Sequence, residues 1–287
     1  MRLASLGEIL WDVIGDKELL GGATFNFSIQ LTRLGHDVAF LSAVGEDERG
    51  RRALHEARRL GLDTRFIRTV NGAPTGAVSV TVDAAGQPSY VLHRPAAYDF
   101  VSIDLDQLRP PAWIYHGTLQ LIEPRMRALL SRLTQTYPQA KRFYDINLRR
   151  DSYNVPLLMD LLHGANVVKL NEDEVIEMAK LTGTSHASLE AFCREWAARH
   201  QWQAVCVTRG AHGCAILVNG AYAEIPGVPV KIADTVGAGD AFAAAFLHGL
   251  NAGWPPEQIG AFANRLGALV ASRAGGVPHW SPEELAG

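Results

Sequence analysis

Residues Asp234–Phe242 read DTVGAGDAF, and an apolar run that ends at Leu250 begins inside this stretch. The run predicts a buried helix that starts directly after two glycines. Glycine permits positive φ and close approach of a ligand to the backbone. The first turn of a helix offers free N–H groups and a partial positive charge. Together these features predict a site for an anion, most naturally a phosphate.

Asp240 falls at the same helix start, and in ordinary surroundings we expect its carboxyl to be ionised near pH 7. A carboxylate repels a phosphate, so phosphate affinity does not explain its presence. A base that removes a proton from a hydroxyl attacking the phosphate does explain it, because such a transfer needs positioning and charge stabilisation more than covalent chemistry. The alternative is a buried helix with an ordinary N-cap after a glycine turn.

Two other nucleotide-binding patterns fit this stretch badly. A dinucleotide-binding turn needs a third small residue where Phe242 stands, and it usually lies near the start of its βαβ unit. A Walker loop needs Gly-Lys followed by Ser or Thr, and the chain has no such sequence.

The composition of the 287-residue chain, with 47% hydrophobic and 20% charged residues, is ordinary for a globular protein. The formal net charge of −3 gives no sign of a nucleic-acid or membrane partner. The three cysteines are odd in number and lack metal-ligand spacing, and Cys206 and Cys214 lie in apolar runs typical of a core. The chain begins without a secretory pattern, so we expect it in the cytoplasm.

Strand and helix patterns alternate along the chain and predict one α/β domain over residues 1–287, with a largely parallel sheet and helices on both faces. Residues 2–14 are predicted as its first strand, followed by a helix that Gly35 ends. Asp12 would then lie at the carboxyl end of a strand, where α/β sheets gather ligands. Asp12 and Asn26 are candidates to bind one small polyol; the alternatives are a turn residue and a surface helix residue.

Residues 75–94 change to a period of two, which predicts a hairpin with its turn at 83–86. Further on, Asp145, Asn147 and Arg149 alternate, so in an extended segment they would point to one face. Asn171 and Glu174 have the spacing of a capping box, which by itself explains both residues. Residues 204–214 predict two strands around a glycine turn, and residues 224–230 predict a further short strand.

The nonapeptide resembles the C-terminal signature of the ribokinase-like (PfkB) carbohydrate kinases, D-T-x-G-A-G-D-x-F. Five motifs in the family's order extend the resemblance over nearly the whole chain. The resemblance implies transfer of the ATP γ-phosphate to a sugar hydroxyl, with Asp240 as the base and the amides of Gly237, Ala238 and Gly239 as the anion hole.

The segment 7–12, with the glycines before Asn26, resembles the family's sugar-binding signature, and that of fructokinases in particular. This implies Asp12, Gly22 and Asn26 as sugar contacts. Arg94 resembles a fructokinase residue that faces the sugar; the alternative is an ion on the outer surface. Strands at roughly 13–20 and 75–94 would form a lid over the sugar, and exposed lid strands often pair with another lid in this family, which implies a homodimer.

The resemblance also implies a nucleotide site and two cation sites. The residues implied at the ATP site are Asn147, Arg149, Lys169, Asn171, Thr208, Gly210, Gly213 and Asn264. Glu174 would help to hold Mg²⁺ through water, which suits an ion that keeps several waters and uses few carboxylates. A monovalent cation, with K⁺ as the candidate, would lie among Asp234, Val236, Ala271, Ala274 and Gly276.

The sequence therefore predicts an ATP- and Mg²⁺-dependent sugar kinase, with fructose as the expected sugar. A 2-keto-3-deoxygluconate kinase is the first alternative, although its relatives usually continue the D-x-N motif with Tyr-Arg-Pro where this chain has Leu148-Arg149-Arg150. Ribokinase and nucleoside kinase are further alternatives. An inactive sugar- or nucleotide-binding module is an alternative of another class, against which the intact Asp240 and Glu174 argue.

Overall fold

The computed structural model describes residues 1–82, 88–149 and 152–285. The strands are β1 Arg2–Leu6, β2 Leu10–Ile14, β3 Lys17–Gly21, β4 Asp37–Gly45, β5 Ile67–Val70, β6 Gly76–Val82, β7 Pro88–His93, β8 Trp113–His116, β9 Lys141–Asp145, β10 Val167–Asn171, β11 Ala204–Thr208, β12 Cys214–Val218 and β13 Ala221–Ile225. The α-helices are α1 Ala23–Arg33, α2 Glu48–Arg59, α3 Pro124–Thr136, α4 Val155–Gly164, α5 Glu172–Thr182, α6 Leu189–His200, α7 Ala238–Asn251 and α8 Pro256–Ala271.

The large sheet has the order β13-β12-β11-β10-β9-β8-β1-β4-β5. Its strands pair in parallel from β11 through β5, and β12 and β13 add two antiparallel strands at one edge. Successive strand residues enter different cores: Leu3 packs in a cluster with α1, α7 and α8, whereas Ala4 packs in a cluster with α3, α4 and α6. This alternation follows from the pleat and covers both faces. The predicted fold class is confirmed.

A small sheet of order β3-β2-β6-β7 stands apart from the large one. It packs on a cluster of buried residues that contains Leu10, Val78, Ala96 and Tyr98. The predicted hairpin corresponds to β6 and β7, and its turn at 83–86 lies outside the described residues. The other two strands of this sheet, β2 and β3, lie near the predicted 13–20 but begin earlier, at Leu10.

The prediction of one strand over residues 2–14 is wrong, because the chain leaves the large sheet after Leu6 and enters the small sheet at Leu10. Gly7 marks the change: a Cβ there would lie 1.8 Å from the Thr24 hydroxyl at the start of α1. Only a residue without a side chain lets the backbone pass so close to that helix.

Two further predictions of extended backbone are wrong. Strand β13 ends at Ile225, because the chain then runs into Pro226 and later Pro229, which lack the N–H that a sheet ladder needs. Asn147 has a φ of 40°, so the segment after β9 is not extended and the alternation of its side chains is broken.

The three cysteines are free and buried, as predicted for Cys206 and Cys214. In the described ranges, no helix is both long enough and apolar enough to span a lipid bilayer.

Candidate active site

Helix α7 begins at Ala238, directly after a glycine cap. Gly237 has a φ of 78°, and a Cβ on it would lie 2.1 Å from the Gly276 carbonyl oxygen. Both the conformation and the contact require glycine at this position. The first turn of α7 is thereby held against the segment that follows α8.

One amide of the predicted anion hole, that of Ala238, and the nearby amide of Val236 make hydrogen bonds inside this turn. The Val236 amide donates to the Asp234 carboxylate at 3.0 Å, and the Ala238 amide donates to the Thr235 carbonyl at 3.3 Å. Helix geometry leaves the next first-turn amides, those of Gly239 and Asp240, without an intrahelical acceptor. The assignment of Gly237, Ala238 and Gly239 to an anion hole stays a prediction.

The carboxyl of Asp240 lies in the first turn of α7, and the residue is half-buried. Its burial raises the pKa of Asp240 to about 7, although the hydrogen bond from Asn26 lowers it. The carboxylate of Asp145 raises this pKa further, while Lys169 and Arg149 lower it. The surroundings of Asp240 are therefore not the ordinary ones in which full ionisation at pH 7 is expected, because desolvation disfavours the charged form. A pKa near neutrality suits a general base.

Asn26 lies on α1 and contacts the predicted base directly. Its side-chain Nδ2 donates to Asp240 Oδ2 at 2.9 Å, and the residue is 3% exposed, so a surface position is wrong. Gly22 caps α1 with a φ of 112°, and a Cβ there would lie 2.6 Å from the Glu8 carbonyl oxygen. The start of α1 therefore has to be glycine for Asn26 to reach α7.

Asp12 lies in the middle of β2, opposite Leu19 of β3 and Val78 of β6. It is therefore neither at the end of a large-sheet strand nor in a turn, as the sequence suggested. Burial raises the pKa of Asp12 to about 6, Arg149 lowers it and Asp234 raises it. Because the charge of Arg149 acts on Asp240 as well, both carboxyls lie within electrostatic reach of one guanidinium.

Arg94 follows β7 and is held by the chain itself. Its guanidinium pairs with Asp99 at 2.6 Å and donates to the Leu119 carbonyl at 3.0 Å. Its side chain is 17% exposed, so the alternative of an outer-surface ion is wrong. A sugar contact from Arg94 stays a prediction, and its donors already have protein acceptors.

Lys169 and Asp145 form an ion pair at the floor of the site. The Lys169 Nζ donates to both carboxylate oxygens of Asp145 at 2.9 Å, and the two side chains are 8% and 1% exposed. The Tyr115 hydroxyl donates to the same carboxylate at 3.2 Å. Burial acts to lower the pKa of Lys169, but the carboxylates of Asp145 and Glu174 outweigh it and raise that pKa.

Asn171 and Glu174 form the capping box that their spacing predicts at the start of α5. The carboxylate of Glu174 accepts from the amides of Asn171 at 2.8 Å and Leu148 at 2.7 Å. Burial raises the pKa of Glu174, and Lys169 lowers it. Each carboxylate oxygen of Glu174 therefore accepts a hydrogen bond from one backbone amide. A carboxylate held in this way could contact Mg²⁺ through a water molecule, and this role of Glu174 stays a prediction.

Several of the predicted nucleotide residues lie in or against the loops that follow β11 and β13. Thr208 ends β11, and Gly213, with a φ of 92°, precedes β12; a Cβ there would lie 2.0 Å from the Ile225 carbonyl oxygen. Asn264 on α8 donates to the Pro226 carbonyl at 2.9 Å and so holds the loop after β13. Gly210, with a φ of 54°, starts the turn between the two strands, and Arg149 is exposed.

Two segments hold the residues predicted around a monovalent cation. The Asp234 carboxylate accepts from the amide of Gly275 at 3.0 Å, and the amide of Asp234 donates to the Ala271 carbonyl at 3.2 Å. Ala274 is exposed between them, and Gly276 is the buried neighbour of the α7 cap. In the described ranges, no cluster of three His, Cys, Asp or Glu side chains could hold a metal ion.

Sequence reasoning missed Glu8, which is 5% exposed and accepts from the Thr24 amide at 3.3 Å. Burial raises the pKa of Glu8. The sequence offered one signal for Glu8, namely an acidic residue within the mostly apolar segment predicted as the first strand. Tyr115 was also missed, and the pairing of Asp145 with Lys169 was not predicted, because the sequence does not show that β9 and β10 lie side by side.

A half-buried carboxyl in the first turn of a helix, beside backbone amides that lack intrahelical acceptors, suits an enzyme that transfers a phosphoryl group to an alcohol. Residues 6–282 match the model of the pfkB family carbohydrate kinases, and the chain belongs to that family. It is an ATP-dependent sugar kinase.

The chain is similar to sugar kinases over nearly its whole length. It is 30% identical to a fructokinase of Klebsiella pneumoniae, across 94% of this chain and 93% of that protein. An uncharacterised sugar kinase of Pyrococcus horikoshii, solved in complex with ATP, superposes with a TM-score of 0.81 at 26% identity, over 96% of this chain and 93% of that one. A 2-dehydro-3-deoxygluconokinase of Thermotoga maritima superposes with a TM-score of 0.87 at 20% identity, over 100% and 98%.

Proposed function

We propose that the protein phosphorylates fructose and that Asp240 is the general base of the transfer. The observation that carries the proposal is the position of Asp240: it lies in the first turn of α7, hydrogen-bonded at 2.9 Å by Asn26, in surroundings that raise its pKa to about 7. The resemblance of the Gly7–Asp12 segment to fructokinases and the relative of that name support fructose as the sugar.

In the proposed reaction, a sugar hydroxyl oxygen forms a bond to the γ-phosphorus of ATP. The bond between that phosphorus and the oxygen retained by ADP breaks, and the hydroxyl proton passes to Asp240. The first-turn amides of α7 are placed to stabilise negative charge on the transferring group. Asn26 orients the accepting carboxylate and keeps one of its oxygens engaged.

The nucleotide is proposed to lie along the loops after β11 and β13, which Gly213 and Asn264 hold together. Bound Mg²⁺ would neutralise phosphate charge, and Glu174 and Asn171 are the residues proposed near it. K⁺ is proposed for the paired segments around Asp234 and Ala271, whose backbone carbonyls offer the hard oxygen ligands that alkali cations prefer.

An acidic sugar is the second candidate, because Arg149 is an exposed cation whose charge acts on Asp12. A 2-keto-3-deoxygluconate carboxylate would pair with such a group. The similarity in fold to the Thermotoga enzyme is compatible with this second candidate. The Leu148-Arg149-Arg150 sequence argues against it, because relatives of 2-keto-3-deoxygluconate kinase usually have Tyr-Arg-Pro there.

A coupled ADP-release assay with fructose, ribose, 2-keto-3-deoxygluconate and nucleosides tests the proposal directly. We expect the highest kcat/KM with fructose. Preference for the ketodeoxygluconate would replace the sugar and keep the kinase, and turnover with none of them would favour an inactive binding module.

A second copy of this chain is the proposed protein partner of the small sheet. Ile14, Leu19 and Val91 on its strands are 42%, 42% and 50% exposed, which leaves apolar surface for pairing. A solution mass of one chain at micromolar concentration would contradict this homodimer.

A further inference from the structure

Burial of the Lys169–Asp145 ion pair costs desolvation free energy, and its position in the fold indicates a functional role. Its two side chains are 8% and 1% exposed, and they pair at 2.9 Å through both carboxylate oxygens. Tyr115, stacked on Phe27 with ring centroids 3.5 Å apart, adds a hydrogen bond to Asp145. Replacing such a pair with apolar residues is often neutral or stabilising, so stability alone is a weak reason for it.

The position of the pair supplies a better reason. A Cβ built on Gly239 would lie 3.8 Å from Lys169 Nζ, so the ammonium group lies directly beside the first turn of α7. Gly239 immediately precedes Asp240. The missing side chain at Gly239 leaves the space between the ammonium group and the helix start open.

Charged and polar groups from several elements lie within electrostatic reach of the Asp240 carboxyl. Asp145 comes from β9, Lys169 from β10 and Arg149 from the segment after β9, and all three act on its charge. Asn26 on α1 donates a hydrogen bond to it. The hydroxyl of Tyr115 on β8 also lies within electrostatic reach of Asp240.

We propose that Lys169 and Asp145 are positioning residues that set the charge state of Asp240, with Lys169 favouring its ionised form and Asp145 opposing it. The pair is held rigidly by Tyr115, so the balance between the two charges is fixed by the fold. This inference rests on the proposed role of Asp240 as the base. It gives Lys169 a different task from the nucleotide contact that the family resemblance implies.

The two single variants have opposite expected effects on the acid limb of the kcat/KM profile. Lys169→Met leaves an unpaired carboxylate near Asp240 and should move the limb to higher pH by about one unit. Asp145→Asn leaves an unpaired cation and should move the limb to lower pH by a similar amount. Damage to the fold would lower the rate of either variant, but it would not move the acid limbs of the two variants in opposite directions.

The double variant Lys169→Met/Asp145→Asn keeps the test valid if a single variant folds poorly, because it leaves no unpaired buried charge. Its limb should return close to that of the wild type, since the two effects cancel. Lys180→Met is the matched control: Lys180 pairs with Glu177 on the surface of α5, and its side chain is 69% exposed. It should leave the profile unchanged.

A second readout does not depend on turnover. The Asp240 carboxyl can be titrated by ¹³C NMR in aspartate-labelled protein and identified by its loss in Asp240→Asn. Opposite shifts of this signal in the two single variants support the proposal, and shifts in one direction, or none, overturn it. A wild type that turns over no sugar while these opposite shifts occur counts against the proposed function alone. An effect of Lys169→Met confined to the KM for ATP would assign Lys169 to the nucleotide and overturn the proposal.

Discussion

The first turn of α7 and the small sheet are held to the molecule in contrasting ways. Beneath α7, Asp145 and Lys169 are 1% and 8% exposed, and the Tyr115 hydroxyl donates a hydrogen bond to Asp145. On the small sheet, Glu18 pairs with Arg49 and Arg52 of α2, with side chains that are 22%, 39% and 44% exposed.

Water screens charges that it can reach, so the second set of contacts is weaker than the first. The two regions therefore differ in how firmly their charged groups are held. We expect the buried pair to hold the charges near the proposed base in place, and the small sheet, with its small apolar cluster, to be the part that adjusts to the sugar.

The largest expected effect is loss of the base itself. Asp240→Asn should lower kcat by about 10²–10⁴-fold, because the attacking hydroxyl no longer has a proton acceptor. In the wild type the rate should rise with pH through about 7, where the carboxyl ionises. Steady-state rates from pH 5.5 to 9 check both points. Near-normal turnover of the variant would remove Asp240 from the mechanism and the buried pair from catalysis.

Asp12 tests the sugar side of the contrast. Asp12→Ala should raise the KM for the sugar by about 10–100-fold, the cost of one charged hydrogen-bond partner, with much less effect on the KM for ATP. Initial rates with each substrate varied separately measure both constants. An unchanged sugar KM would refute the assignment of Asp12 and leave the small sheet without a sugar contact.

The pH dependence of the free energy of unfolding tests the raised pKa of Asp240. The pKa of Asp240 is raised from 3.8 to about 7, so the folded state binds more protons in this range and stability falls as pH rises from 4 through 7. Asp240→Asn removes this loss and should be more stable than the wild type by about 1–3 kcal/mol above pH 7. The two proteins should melt together below pH 4.

Thermal melts at pH 4, 6 and 8 provide the measurement, and a shift of about 2–4 °C per kcal/mol is expected. Asp16→Asn is the matched control, since Asp16 is an exposed carboxyl in the turn between β2 and β3. A difference in melting temperature between Asp240→Asn and the wild type that does not change with pH would contradict the raised pKa of Asp240.

The smallest expected effect concerns the attachment of the small sheet. Glu18→Gln removes the charge that pairs with Arg49 and Arg52 at 2.7 and 2.6 Å, and should raise the sugar KM by about 2–5-fold. The effect should vanish in about 1 M salt, where the Debye length is about 3 Å. Glu190→Gln, which loses a surface pair with Arg194 on α6, should change nothing.

Local patterns were sufficient for elements whose cause is local. The glycines before Asp240 predicted the start of α7, the spacing of Asn171 and Glu174 predicted their capping box, and the period of two predicted β6 and β7. Each of these depends on residues within a few positions of one another, so the sequence contains the whole cause.

Predictions failed where a distant segment decides the conformation. Residues 2–14 look like one strand, but Gly7 has to pass within contact distance of Thr24, and the chain changes sheets there. Asn147 lies in a pattern that suggests extended backbone, yet its φ is 40°. Asp12 was expected at the edge of the large sheet and lies inside the small one instead.

The sequence by itself determined the class of fold, the helix start at Asp240 and, through its motifs, the kind of reaction. The tertiary structure alone decided which groups surround that carboxyl: Asn26 is 214 positions away along the chain, and Lys169 comes from another strand. The physical reason is that a pKa depends on burial and on charges a few ångströms away in space, and spacing along the chain does not fix either of them.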